Sequence, residues 1–176
     1  IGRIDADAYP DIVVSAANDP YGRKGRILFN QAMATARFID QGSKVVALPI
    51  LEDVNRLLVS DINADGRNDI IAASATSGKV VVIINKTPDV PGVRTILTSG
   101  NIVNDIFLSD MNGDGHADLL STSLNSVMDK GIVEVFLNRP GMGFEPVSDN
   151  LIVPMFCVKP MHITTVSARR NGRSDI

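Results

Sequence analysis

Short apolar runs separated by polar turns recur along the whole chain, and they follow each other in a fixed order. A strand-like run is followed by an acidic turn, a second apolar run, a variable turn, a third run and a weaker fourth run. Runs of this length, rich in β-branched residues and bounded by Gly, Asn and Asp, are typical of β-strands. The pattern therefore predicts an all-β protein made of repeated four-stranded units. The third run, which opens with Gly and closes with Asn, marks the repeat most clearly, at Gly25–Asn30, Gly78–Asn85 and Gly131–Asn138.

The spacing of the repeat indicates which fold these units build. The aspartate that ends each acidic turn recurs at positions 11, 69, 118 and 175, in steps of 58, 49 and 57 residues. Repeats longer than about forty residues with strand-like content indicate propeller blades, each of four antiparallel strands. We therefore predict a β-propeller with about three blades and part of a fourth, as a fragment of a propeller of six to eight blades. Two copies joined into a six-bladed ring are the alternative. The predicted blades are 1–53 (incomplete), 54–102, 103–160 and 161–176 (the start of the fourth).

Two of the acidic turns, 61–69 and 110–118, are near-copies of each other with oxygen-bearing side chains at positions 1, 3, 5 and 9. A glycine at position 6 permits the positive φ that a sharp turn around an ion requires. Calcium takes six to eight hard oxygen ligands, which alternate residues of a tight loop can supply. The sequence thus predicts a Ca²⁺ site in each loop. The predicted side-chain ligands are Asp61, Asn63, Asp65 and Asp69, and Asp110, Asn112, Asp114 and Asp118.

Two other kinds of loop share part of this pattern. An EF-hand loop carries a bidentate Glu at its twelfth position, where this chain has Ala72 and Ser121. An EF-hand loop also lies between two helices, whereas the loops of this chain lie between strand-like runs. Metal-free turns rich in Asp, Asn and Gly are the other possibility, because these residues favour turns in themselves. Three carboxylates crowded together without a cation would repel each other, which favours the metal.

Two further copies of the loop have lost part of the pattern. Residues 3–11 keep Asp5, Asp7 and Asp11, which are candidate weak metal ligands, but lack the first ligand and the glycine. Residues 167–175 carry Arg169 at position 3, where a guanidinium would repel a divalent ion. We predict that this last loop binds no metal, and the sequence leaves the first loop open.

At this point the chain resembles a known family, the FG-GAP/VCBS repeats. The resemblance is carried by 61–69 and 110–118, which match Asp-x-Asn-x-Asp-Gly-x-x-Asp before an apolar strand, and by Val135–Phe144, which is similar to the VCBS pattern. The Gly-Ala-Pro element of integrin-type repeats is absent, which favours the broader VCBS-like branch. The resemblance implies a β-propeller like that of the integrin α head or of secreted lectins. It also implies that the backbone carbonyls of Arg67 and His116, at position 7, complete the calcium sites.

Composition limits the compartment and the partners. The net charge is −3 with no run of like charges, and the cluster Arg169, Arg170 and Arg173 is too small to indicate nucleic-acid binding. No stretch approaches the twenty apolar residues of a membrane span. Loops of modest calcium affinity suit millimolar calcium. An extracellular, periplasmic or secretory-lumen location is therefore expected.

No catalytic constellation is evident, so we predict a calcium-stabilised interaction or adhesion module that binds a protein partner and is not an enzyme. A carbohydrate-binding lectin, or the propeller of a polysaccharide-active enzyme, is the alternative. The partner could also be the rest of the same propeller or a second copy. Variable loops on a repeated scaffold usually carry binding function. In the family that this chain resembles, ligands meet the face opposite the calcium loops, so the candidate partner contacts there are Tyr21, Arg23, Lys24, Glu52 and Asp53.

Overall fold

The computed structural model describes residues 4, 9–15, 25–30, 38–39, 54–85, 92–97, 102–127, 130–139, 143–147, 151–152 and 164. All regular structure in this part of the chain is β, which confirms the predicted class. The strands are β1 (Ile12–Ser15), β2 (Gly25–Asn30), β3 (Phe38–Ile39), β4 (Val54–Ser60), β5 (Asp69–Ser74), β6 (Lys79–Ile84), β7 (Gly92–Leu97), β8 (Ile102–Ser109), β9 (Asp118–Asn125), β10 (Lys130–Arg139), β11 (Gly143–Pro146) and β12 (Leu151–Ile152).

The strands form three antiparallel sheets in which neighbours in sequence are neighbours in space. Sheet 1 has the order β1-β2-β3, sheet 2 the order β4-β5-β6-β7, and sheet 3 the order β8-β9-β10-β11. Sheet 2 is therefore the four-stranded antiparallel unit that the apolar pattern predicts. Sheet 3 has the same unit with one additional strand, β12, paired to β10.

The additional strand lies in a segment, 148–161, that the sequence pattern marks as a connection between blades. Strand β10 has ten residues, and β11 pairs only with Phe136–Arg139. The earlier part of β10 would leave an unpaired edge, which is unfavourable for a strand. Leu151 and Ile152 pair there, opposite Val133 and Ile132.

The first strand of each complete sheet is longer than its apolar run suggests. β4 begins at Val54 and β8 at Ile102, whereas the runs indicate starts at residues 57 and 106. In both strands the pairing register shifts near the beginning, between Val54 and Arg56 and between Val103 and Asp105. Such β-bulges interrupt the alternation of a strand, so the regular apolar pattern begins only after the bulge, a few residues into the strand.

Sheet 2 is covered on both faces. One face packs with Ile4 of the first repeat, and the other packs with Val103, Ile106, Leu119 and Phe136 of sheet 3. Side chains alternate between the two faces of a strand, so a strand between two neighbours needs apolar or small residues at every position. All six residues of β5 are buried, as this arrangement requires.

Polar contacts also join sheets 2 and 3, at the end where the bulges lie. The Nδ2 atom of Asn55 donates to the Val103 carbonyl at 2.7 Å. One residue later, Arg56 Nε lies 2.6 Å from Asp105 Oδ1. The Asp105 side chain is largely buried, so this ion pair is more shielded from water than an ordinary surface pair.

Candidate metal centre

The two complete acidic loops lie at the same end of their sheets. Residues 61–68 connect β4 to β5, and residues 110–117 connect β8 to β9. The hairpins close at the pairs Ser60–Asp69 and Ser109–Asp118. The turns between the second and third strands lie at the opposite ends of the same strands, because successive hairpin turns alternate along a meander.

In the loop 61–69, the side-chain oxygens at positions 1, 3 and 5 all face backbone amides of the same loop. Asp61 accepts from the amides of Asp65 at 3.1 Å and Gly66 at 2.8 Å. Asn63 Oδ1 accepts from the Asp65 amide at 3.0 Å, and Asp65 Oδ1 accepts from the Arg67 amide at 2.9 Å. The Asn63 Nδ2 atom donates to Asp65 Oδ2 at 3.0 Å. These bonds gather two carboxylates and one amide oxygen on the inside of the turn.

The loop 110–118 repeats this arrangement bond for bond. Asp110 accepts from the amides of Asp114 at 3.1 Å and Gly115 at 2.9 Å. Asn112 Oδ1 accepts from the Asp114 amide at 2.8 Å, and Asp114 Oδ1 accepts from the His116 amide at 2.8 Å. The Asn112 Nδ2 atom donates to Asp114 Oδ2 at 2.8 Å. Two sequences that differ at four of nine positions thus form one oxygen cradle.

Backbone conformation explains why glycine is needed at position 6. Gly66 and Gly115 have φ angles of 85° and 86°, in the left-handed region that only glycine enters freely. Position 4 is also left-handed, with φ of 79° at Gly113 and 60° at Ala64. The loop 61–69 therefore holds an alanine in a conformation that is unfavourable for residues with a Cβ atom.

The ninth-position aspartates are buried and bind backbone amides through both oxygens. Asp69 is fully buried; its Oδ2 accepts from the Ile62 amide at 2.9 Å and its Oδ1 from the Asn85 amide at 2.8 Å. Asp118 is also fully buried and accepts in the same way from Met111 and Asn138, both at 2.8 Å. Each aspartate thus ties position 2 of its loop to the end of the third strand in its sheet. That these aspartates also bind calcium stays a prediction.

The charges in the loops influence each other. Burial raises the pKa of Asp69 and Asp118 above the usual range, the backbone hydrogen bonds oppose this shift, and the carboxylates at positions 1 and 5 of each loop raise the pKa further. The exposed Asp114 has a lowered pKa, chiefly because the His116 amide donates to it, and then because of the Asn112 side chain. Carboxylates close enough to repel each other in this way favour a bound cation.

The first loop shares one of these contacts. Asp11 is buried, and its Oδ2 accepts from the Ile4 amide at 2.7 Å, as Asp69 and Asp118 accept from their own second positions. Residue 11 therefore occupies the ninth-position site of the repeat. The candidate ligands Asp5 and Asp7, the degenerate loop 167–175 and the partner-contact candidates Tyr21, Arg23, Lys24, Glu52 and Asp53 lie outside the described residues.

Two residues that the sequence did not single out as functional join neighbouring repeats. Asn85 Nδ2 donates to the Ile4 carbonyl at 2.6 Å, and Asn138 Nδ2 donates to the Ile62 carbonyl at 2.8 Å. Both asparagines close the third apolar run of their unit. That recurrence is the only signal of their role in the sequence, because the acceptors lie 81 and 76 residues earlier.

The described residues contain no group of three or more His, Cys, Asp and Glu side chains arranged around one point as a metal site. In each complete loop the converging set has two acids and one asparagine, because position 3 is Asn63 or Asn112 and the ninth aspartate is directed to amides. This all-oxygen set suits a hard cation such as Ca²⁺ and offers none of the nitrogen or sulfur ligands that zinc prefers.

Part of the chain matches a known family of repeats. Residues 61–121 match the family model described as the FG-GAP-like repeat. The matched segment begins with one acidic loop, includes the four strands β5 to β8, and ends in β9 after the second loop. No curated protein and no solved structure gives a significant match. Residues 61–121 therefore form an FG-GAP-like repeat, a β-propeller-type unit, which confirms the resemblance inferred from the acidic loops.

Proposed function

We propose that this chain is part of a calcium-stabilised β-propeller module that binds a protein partner and carries out no catalysis. The observation that supports it most strongly is the repetition of one oxygen cradle in two loops of different sequence. The FG-GAP-like repeat over 61–121 supports the interaction role, because repeats of this type often mediate binding.

The proposed ligands in the loop 61–69 are the side chains of Asp61, Asn63, Asp65 and Asp69 and the carbonyl of Arg67. In the loop 110–118 they are Asp110, Asn112, Asp114 and Asp118 with the carbonyl of His116. A carboxylate offers about four lone-pair positions, so an oxygen that accepts one N–H can still coordinate a cation. The amide hydrogen bonds then orient the ligands before the ion arrives.

In this proposal calcium acts on stability. A ligand that binds only the folded state adds about 2.7 kcal/mol per site when its free concentration is a hundredfold above Kd. Burial is the main cause of the raised pKa of the ninth-position aspartates, and the ion would relieve the smaller contribution from repulsion by the other loop carboxylates. The three joined sheets would then keep their connecting loops fixed for a partner.

Calorimetric titration of the protein with calcium, together with thermal unfolding in calcium and in chelator, tests this proposal. We expect two sites in the described loops, a higher Tm in calcium, and loss of one site in each of Asp65→Ala and Asp114→Ala. These variants should unfold near the wild-type temperature in chelator. Equal Tm values in calcium and chelator, with no binding heat, would refute the structural role of calcium.

The partner is expected to bind at the end of the sheets opposite the acidic loops. At this end the structure describes the turn 75–77, where Ser74 Oγ accepts from the amides of Thr76 and Ser77. It also describes the turn after β9, where Val127 is 90% exposed. The candidate contacts Tyr21, Arg23, Lys24, Glu52 and Asp53 belong to the same predicted face.

Alanine substitution of those five residues should weaken capture of a protein partner without changing calcium binding. Binding to a glycan array would favour the alternative function, a carbohydrate-binding lectin. In that case Tyr9, which is 44% exposed, offers an aromatic face on which a sugar can stack. Cleavage of a polysaccharide would overturn the non-catalytic role.

The described residues include no helix with the length and apolarity to cross a membrane. We place the module outside the cytoplasm, where calcium is abundant.

A further inference from the structure

Ile62, at position 2 of the loop 61–69, is held from three directions. The Ile62 amide donates to Asp69, its side chain is buried between sheets 2 and 3, and its carbonyl accepts from Asn138 of the next sheet. Ile62 lies between two proposed ligands, Asp61 and Asn63. Its two flanking peptide groups therefore determine where both ligand side chains start.

The same connection occurs at the preceding junction. Ile4 donates its amide to Asp11, and its carbonyl accepts from Asn85 of sheet 2. At both junctions the asparagine side chain donates to a carbonyl in the loop of the preceding unit. The backbone amide of the same asparagine donates to the ninth-position aspartate of its own unit. The two functions of the residue therefore use different atoms.

We propose that Asn138 is a positioning residue that couples the acidic loop 61–69 to the next sheet, so that the cation site of this loop depends on a side chain of the following unit; Asn85 makes the corresponding contact to Ile4. This inference rests on the proposed calcium function and extends it. Coupling of this kind makes the calcium affinity of an acidic loop depend on whether the next sheet is packed against it.

The proposal makes an asymmetric prediction. Asn138 belongs to the sheet of the loop 110–118, yet its side chain serves the loop 61–69. Asn138→Ala leaves the backbone amide on Asp118 intact and removes the buried side chain that donates to the Ile62 carbonyl. Loss of this buried hydrogen bond should weaken calcium binding by 61–69 about threefold to tenfold and leave 110–118 near wild type.

NMR titration of the protein with calcium separates the two loops. The amides of Gly66 and Gly115, at position 6 of each loop, report the two sites individually. Asn125→Ala is the matched control, since it removes an asparagine of the same sheet whose Oδ1 accepts from the Val127 amide at the other end of β9. Asn138→Ser is a milder second variant if Asn138→Ala does not fold.

The proposal predicts a shift of the Gly66 midpoint in the Asn138 variants and not in Asn125→Ala. An equal shift at Gly66 and Gly115, or no shift at Gly66, would overturn it. Amide hydrogen exchange in chelator tests the coupling without the ion, because Asn138→Ala should speed exchange at Asp65 and Gly66 and not at Gly115. If the wild type binds no calcium, the proposed function fails, and this exchange pattern alone decides whether the coupling exists.

Discussion

Asp118→Asn is the substitution whose effect follows most directly from the geometry. The change keeps the shape of the side chain but replaces one acceptor oxygen by an NH₂ group. Asp118 is fully buried and accepts from the amides of Met111 and Asn138, each at 2.8 Å. In the variant, one of these two N–H groups must face another donor. The loop 110–118 then loses its tie either to its own second position or to β10.

The magnitude can be worked from this contact. A hydrogen bond to a charged group contributes about 1.5–3 kcal/mol, and a buried donor left without a partner costs about 1–3 kcal/mol. Burial of the charge itself is unfavourable, as the raised pKa of Asp118 indicates, so the neutral amide recovers part of this loss. We expect Asp118→Asn to lower the free energy of unfolding by about 2 kcal/mol. For a chain of this size the Tm should fall by about 4–8 °C.

The assay is urea unfolding followed by circular dichroism, first in chelator so that metal binding does not contribute. Asp114→Asn is the matched control because it is the same chemical change in the same loop. Asp114 is exposed, and its bonds to the His116 amide and the Asn112 side chain can be replaced by water. We expect Asp118→Asn to be clearly less stable than Asp114→Asn in chelator, and Asp114→Asn to lose stability mainly in calcium.

Equal stability of the two variants in chelator would refute the reasoning, because the ninth aspartate would then be no more structural than an exposed loop residue. A different result would be that Asp118→Asn unfolds at the wild-type urea concentration in chelator and yet fails to bind calcium. That result would show that Asp118 acts only as a metal ligand and does not stabilise the fold.

Three further predictions concern the backbone and the contacts between sheets. Ala64→Gly should raise the free energy of unfolding by about 0.5–1 kcal/mol in urea titrations, because φ is 60° there and the other loop has Gly113 at this position; a lower value would contradict the strain. Gly66→Ala should lower it by about 1–2 kcal/mol through backbone strain alone, since an added Cβ would meet no atom within 4 Å, and an unchanged midpoint would count against this. Asn55→Ala should lower it by about 1 kcal/mol, because the side chain donates to the next sheet. Asn104 is the counterpart of Asn55 in sheet 3, and its Nδ2 atom is buried with no hydrogen-bond partner in the described part of the chain. Asn104→Ala should therefore lower the free energy of unfolding less than Asn55→Ala does, or raise it, in the same assay. Equal losses of stability in the two variants would contradict this difference.

The sequence alone was enough to predict most of the strands and the positions of the acidic loops, because both depend on local patterns. Apolar runs bounded by turn residues specify strands such as β5 and β6, and Gly66 and Gly115 mark the places where φ must be positive. The near-identity of 61–69 and 110–118 also made the repeat visible, and the fold class followed from its period. These features need only neighbours within one unit.

Contacts between units were decided by the tertiary structure. The pairing of β12 with β10 depends on an edge that only the assembled sheet has, and the bulges of β4 and β8 break the alternation that a sequence pattern relies on. The carboxylates of Asp69 and Asp118 look like the other loop acids in the sequence. Only folding buries them and brings a backbone amide from the end of the third strand to Oδ1 of each, while Oδ2 accepts from the second position of the same loop.

The asparagines that end the third strands show the same division. Their recurrence at positions 85 and 138 is visible in the sequence, but the carbonyls that accept from them are 81 and 76 residues away. A hydrogen bond over that separation exists only once two sheets have packed and fixed the distance between a strand end and a loop. The local pattern therefore determined which residues could bind, and the packing of the sheets determined what they bind.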